Sequence, residues 1–112
     1  MKVLLDECLP RRLKRLLPGH AVSTVPEMGW AGTKNGALLR KLEPHFDVFI
    51  TIDGNLQYQQ SLSSVSVAFV VLVAVNNKLT TLEPLMPQVA AALASIKPGD
   101  IVRVESEVIG YE

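Results

Sequence analysis

The chain of 112 residues has a single cysteine, Cys8, so no internal disulfide forms. Its two histidines, His20 and His45, lie far apart, and with one cysteine they lack the spacing of a zinc site. Long apolar runs are missing too. Every run is broken by a charge or a proline well short of the roughly 20 residues that a membrane span requires. The Met1 to Leu5 start has no signal-peptide pattern, and the expectation is a cytoplasmic protein with no membrane contact. Internal repeats and low-complexity tracts are absent. Net charge is absent as well, with 11 Lys/Arg against 11 Asp/Glu.

That balance hides an asymmetry. Residues 1 to 45 carry eight Lys/Arg and four Asp/Glu, whereas residues 46 to 112 carry three and seven. Such a dipolar chain suits a basic rim beside an acidic pocket, although an ordinary mixed surface has the same composition. Hydrophobic residues make up 48% of the chain, enough for one core, and the length predicts a single domain over residues 1–112.

The order of elements follows from periodicity. Lys2 to Leu5 is a short apolar run ending at Asp6, as in a buried strand. Pro10 opens a helix in which Leu9, Leu13, Leu16 and Leu17 recur until Pro18-Gly19 stops them. His20 to Val25 alternates and predicts the second strand, and Pro26 to Lys34 reads as a loop. Asn35 is placed to cap a helix carrying Ala37, Leu38, Leu39 and Leu42, which Pro44 ends. Asp47 to Ile52 is apolar on both faces, the mark of a central parallel strand.

A short helix is expected from Asn55 to Leu62, and Val65 to Val75 predicts the fourth strand. Thr80 and Glu83 have capping-box spacing ahead of Leu85, Met86, Val89 and Leu93, with Pro87 expected to kink that helix or delay its start. Lys97 to Asp100 is a turn, and Ile101 to Glu105 predicts a final edge strand. The fold class is therefore α/β, a three-layer sandwich on a mostly parallel five-stranded sheet of order 2-1-3-4-5.

In such sheets ligands bind beyond the carboxyl ends of the strands where strand order reverses, here between the first and third. Asp6 and Glu7 follow strand one and Asp53 follows strand three, so their carboxylates should converge there. Packed carboxylates repel unless a cation neutralises them, and hard oxygen donors suit Mg²⁺ or Mn²⁺. A metal at Asp6 and Asp53 would favour hydrolysis of a phosphodiester. Asp6 equally suits a cap or turn ahead of Leu9-Pro10.

Asn55 and Gln57 are placed to orient water, Asn55 equally to cap its short helix. Arg11, Arg12, Lys14 and Arg15 on the first helix are candidates for gripping phosphates, or else form a plain solvated face. Trp30 suits packing of its loop, or stacking on a base or a partner. Cys8 suits a small core residue.

Lys2-Val3-Leu4-Leu5-Asp6-Glu7-Cys8-Leu9-Pro10, Gly19-His20, Glu27-Met28-Gly29-Trp30 and Phe49-Ile50-Thr51-Ile52-Asp53-Gly54-Asn55-Leu56 together resemble the bacterial PIN-like proteins of unknown function. That group is placed with the PIN-domain ribonucleases, often regarded as toxins of toxin-antitoxin pairs. The resemblance spans at least residues 2 to 75. It implies a Mg²⁺- or Mn²⁺-dependent endoribonuclease, with Asp6 and Asp53 matching the acidic positions and Glu7 or Asn55 assisting through water. It also implies a small antitoxin protein over the crevice.

Two positions depart from the pattern. Lys34-Asn35-Gly36 stands where an acidic residue is common, and Asn55 stands where a second Asp is common. Fewer carboxylates weaken metal affinity, which leaves a non-catalytic module that binds RNA or protein as the alternative. A phospho-receiver domain shares the acidic residues after strands one and three. It requires a Lys after its last strand, whereas Lys97 precedes that strand. An edge strand and apolar helix surfaces permit a homodimer.

Overall fold

The computed structural model describes residues 1–33, 35–52 and 66–105. Five strands, β1 (Lys2–Leu5), β2 (Ala21–Thr24), β3 (Val48–Thr51), β4 (Ala68–Val73) and β5 (Ile101–Glu105), form one sheet of order β2-β1-β3-β4-β5. Every pairing is parallel, so the sheet is wholly rather than mostly parallel. Each predicted strand lies within its expected span. The short helix expected over Asn55 to Leu62 falls outside the described residues.

The strands alternate between two apolar layers because successive side chains leave opposite faces of a pleated strand. Val3 and Leu5 of β1, Val48 and Ile50 of β3, and Ala68, Val70 and Leu72 of β4 face one layer. Leu4, Phe49 and Phe69 face the other. Both layers are needed because β3 is buried along its whole length, which explains its unbroken apolar run. Phe49 and Phe69 are cross-strand neighbours and meet edge to face with centroids 6.3 Å apart. Such a pair adds about 0.5–1.5 kcal/mol beyond the area it buries.

The first layer is closed by a 3₁₀ segment, Arg11–Leu16, and by the helices before β5. The run between Pro10 and Pro18 takes the 3₁₀ form and not the predicted α-helix, but it still buries Leu13, and Leu9 and Leu17 beside it. Helix α1 (Asn35–Leu42) covers the other layer through Leu38, Leu39 and Leu42.

The helical path before β5 is interrupted, as Pro87 predicts. It runs through α2 (Leu79–Leu82), a 3₁₀ turn (Glu83–Leu85) and α3 (Met86–Leu93). Pro84 and Pro87 sit in the first turns of the second and third pieces, where a missing N–H costs least. The expected Thr80–Glu83 capping box is not formed. Helix α2 already begins at Leu79, with Lys78 at the cap and no side-chain cap bond.

Strand β5 is an edge with an exposed, alternating pattern and Ile101 at 42% exposure. Lys97 lies on its amino-terminal side, where its N–H donates to Asp100 at 2.9 Å, away from where a receiver's lysine is needed. No helix among the described residues is long and apolar enough to cross a membrane.

Candidate functional site

Strands β2 and β3 flank β1 on opposite sides, so the chain reverses direction across the sheet at the carboxyl ends of β1 and β3. Asp6 stands at that point. Its N–H donates to the Ile50 carbonyl at 2.9 Å and continues the β1–β3 ladder by one rung, which ties the residue to the sheet register. Its carboxylate is held from both sides. Oδ2 accepts the Thr51 hydroxyl at 2.6 Å, and Oδ1 accepts the Glu7 N–H at 2.8 Å. The first of these has the length of a charge-assisted bond, and Thr51, the last residue of β3, is fully buried.

The turn role that the sequence equally allows is present in the same residue. The Asp6 carbonyl accepts the Leu9 N–H at 3.0 Å, and the Glu7 N–H closes on the Asp6 side chain. Asp6 thus stabilises its turn while its half-buried carboxylate stands at the carboxyl ends of β1 and β3.

Glu7 is exposed and reaches a different element. Its carboxylate accepts the Gly32 N–H at 3.1 and 3.3 Å, joining the end of β1 to the loop before α1. Gly32 has φ +79°, a left-handed conformation that a side chain would strain. The same loop is anchored by Trp30, which packs edge-on against Phe46 at 6.1 Å and tilted against His45 at 6.3 Å. The packing role expected of Trp30 is the one its contacts describe. Cys8, half-buried against the core, has its thiol pushed up to about 11, first by burial and then by the negative charge of Asp6. A thiol so protonated at neutral pH is no nucleophile.

The four cations expected to grip RNA lie together on the 3₁₀ segment Arg11–Leu16 and line a depression of about 390 Å³. They are not equivalent. Lys14 donates to both oxygens of Glu27 at 2.9 Å, and the Arg11 Nε stands 3.5 Å from the same carboxylate. Glu27 in turn accepts the Thr24 N–H at 2.9 Å while its own N–H donates to the Thr24 hydroxyl at 3.2 Å. This reciprocal pair has capping-box spacing and ties the end of β2 to a short 3₁₀ turn, Pro26–Met28, whose cap position is Val25, within the stretch that reads as plain loop. Lys14 and then the Thr24 N–H hold the Glu27 carboxyl below its ordinary value.

Thr51 and Glu27 are the residues that sequence reasoning passed over. The Thr24-x-x-Glu27 spacing is the signal for the second. Asp53 and Asn55, like Lys34, lie outside the described residues, and with them the expected meeting of Asp6 with Asp53.

A larger depression of about 690 Å³ lies at the amino-terminal ends of the strands, lined by Lys2, Glu43 and Asp47 among others. Its carboxylates serve the backbone, Asp47 accepting the Lys2 N–H at 2.8 Å and Glu43 the Ser66 N–H at 2.9 Å.

Among the described residues no three His, Cys, Asp or Glu side chains group as a metal site. The donor chemistry of Asp6 nevertheless fits a hard cation. Each of its oxygens accepts one of the hydrogen bonds given above, and a carboxylate has about four acceptor positions. With Asp53 two residues past Thr51, the pair would supply two carboxylates, with water filling the remaining positions.

No curated protein and no solved structure matches the chain. The family model described as a PIN like domain matches residues 1–73, a span that holds Asp6, the β1–β3 crevice and the basic segment, and the chain belongs to that PIN-like domain family.

Proposed function

We propose that this PIN-like domain is a metal-dependent endoribonuclease that hydrolyses RNA phosphodiesters at the β1–β3 crevice. The observation that carries the reading is the orientation of Asp6, whose carboxylate is fixed at the switch point by the Thr51 hydroxyl at 2.6 Å. A side chain held in one rotamer loses less entropy on engaging a cation than a free one.

Asp6 and Asp53 would hold Mg²⁺ or Mn²⁺, which when bound supplies a Lewis acid for phosphoryl oxygens and lowers the pKa of water. Thr51 positions Asp6, Glu7 fastens the Gly32 loop beside it, and Asn55 offers an amide to orient water. Acting in the cytoplasm as a toxin, the protein would be restrained by a small antitoxin covering the crevice. A β5-edge homodimer is compatible with this reading.

A second reading, a PIN-like module that binds RNA or a protein without cutting, is favoured by one observation. The Glu7 carboxylate is engaged by Gly32, which leaves the described part of the site with Asp6 as its oriented carboxylate. Calorimetric titration with Mn²⁺ separates the two when wild type is compared with Asp6→Asn and Asp53→Asn, each also incubated with mixed RNA. Saturable binding and cleavage, both lost in the variants, support the nuclease. Wild-type protein that takes up no Mn²⁺ and cuts no RNA sinks it.

A further inference from the structure

The 3₁₀ form of Arg11–Leu16 has three residues per turn, so side chains at i and i+3 eclipse one another. That period sorts the six residues into three rows. Leu13 is buried, and Leu16 packs against the same core. Arg11 and Lys14 form the second row, and both meet Glu27. Arg12 and Arg15 form the third, exposed and without a carboxylate partner among the described residues. An α-helix, at 3.6 residues per turn, would spread the same cations around its surface without this division.

Glu27 is not a freely swinging surface acid. Its carboxylate accepts the Thr24 N–H and its backbone N–H is bound by the Thr24 hydroxyl, so it stays aimed at Lys14. Only 31% of the Lys14 side chain is exposed, with its ammonium on both Glu27 oxygens. Thr24 ends β2, so the Glu27 contacts lie by the carboxyl edge of the sheet, the edge that carries Asp6.

We propose that Arg12 and Arg15 are a phosphate grip for single-stranded RNA, and that Glu27 withholds Lys14 and Arg11 from it. The proposal rests on the ribonuclease reading for the choice of polyanion. The Cα atoms of two arginines on one 3₁₀ row stand about 6 Å apart along the axis at a rise of about 2 Å per residue, and their side chains can hold the guanidiniums at that spacing. That is comparable to the step between successive phosphates of one strand, and each guanidinium fork matches phosphate oxygens in a bidentate manner. Lys14 is a structural rivet between the 3₁₀ segment and the β2 turn.

The test is fluorescence anisotropy of labelled oligouridylate with the full chain, in EDTA so that no cleavage occurs, across a series of salt concentrations. Each phosphate released from the grip should lower the slope of log K against log salt by about 0.7. The double variant Arg12→Ala, Arg15→Ala should therefore lose about 1.4 of slope, and Lys14→Met none.

Glu27→Gln keeps an oxygen for the Thr24 N–H but frees the second row, so it should bind more tightly and with a steeper slope. An unchanged slope in the Arg double variant would overturn the grip, as would a loss in Lys14→Met equal to it. Weaker binding by a Glu27→Gln protein whose thermal melt matches wild type would overturn the withholding role. Wild type that binds phosphatidylserine vesicles but not oligouridylate would also overturn the proposal. The Mn²⁺ titration at Asp6 reports on the nuclease independently of all these outcomes.

Discussion

Replacing Thr51 by Val keeps the shape of the side chain and removes the hydroxyl that donates to Asp6 at 2.6 Å. Hydrogen bonds to charged groups contribute about 1.5–3 kcal/mol when one partner is deleted. Thr51 is fully buried, but Asp6 is half-exposed, so water can reach the carboxylate and replace part of what is lost. The lower half of the range, about 1.5–2 kcal/mol, is therefore expected. With a urea dependence of about 2 kcal/mol per molar for a small domain, the unfolding midpoint should fall by about 0.75–1 M.

Thr51→Ser is the control, since it keeps the hydroxyl and gives up one buried methyl. Loss of an outer partner also costs about 10–100-fold in metal affinity where a carboxylate is a ligand, so Thr51→Val should weaken Mn²⁺ binding by at least about tenfold. A Thr51→Val midpoint within error of wild type would refute the energetic argument. A Thr51→Ser protein as destabilised as Thr51→Val would leave the hydroxyl bond worth no more than one buried methyl.

Cys8 should resist iodoacetamide at pH 8, where a thiol at about 11 is ionised in about one molecule per thousand, and should react quickly once urea unfolds the chain. Because the folded value lies above the unfolded one, this thiol's contribution to stability is intact below about pH 9 and is lost as pH rises towards 11; Cys8→Ala should flatten that part of the profile relative to wild type. Glu7→Ala should free the Gly32 loop and expose Trp30, the chain's one tryptophan, giving red-shifted emission and stronger acrylamide quenching, whereas Glu7→Gln retains an acceptor and should leave the emission unchanged. If Glu7→Gln instead lowers Mn²⁺ affinity with emission unaltered, Glu7 acts as a ligand and not as a loop clasp.

The strands and their order were readable because burial on both faces leaves a plain imprint. Val48-Phe49-Ile50 and the Ala68 to Val73 run are apolar without alternation, and only a covered central strand tolerates that. The position of Asp6 followed from the same rule. Helix type was less legible. Leu9, Leu13, Leu16 and Leu17 match an α-helical stripe, yet Leu13 and Leu16 are equally an i, i+3 pair of a 3₁₀ turn, and a stretch closed by Pro10 and Pro18 cannot propagate a longer helix.

The capping signals show how spacing alone misleads. Thr80-x-x-Glu83 has the pattern, but Leu79 is already helical and the pair lies inside the helical path. Thr24-x-x-Glu27 has the same pattern and forms the bonds, because β2 ends there and its last N–H needs an acceptor. What distinguishes the two is the end of a strand, a tertiary fact. Arg11, Arg12, Lys14 and Arg15 read as one set in the sequence, and the pairing of two of them is not legible there for a related reason: Glu27 arrives from another element.

Asp6 serves its turn and its crevice with the same atoms, so a substitution that removes its side chain would confound the two roles. Asn is the substitution that separates them. An Asn carbonyl oxygen can still accept the Glu7 N–H, and its amide can donate to the Thr51 oxygen, the direction of that bond reversing as the hydroxyl turns. Asp6→Asn should therefore keep most of the turn's stability while deleting the negative charge that a cation requires. Equal melting curves with Mn²⁺ binding abolished would place the value of this residue in its charge. A large loss of stability in Asp6→Asn, matched by Asp6→Ala, would overturn the separation of the two roles, because the amide would then have failed to keep the turn.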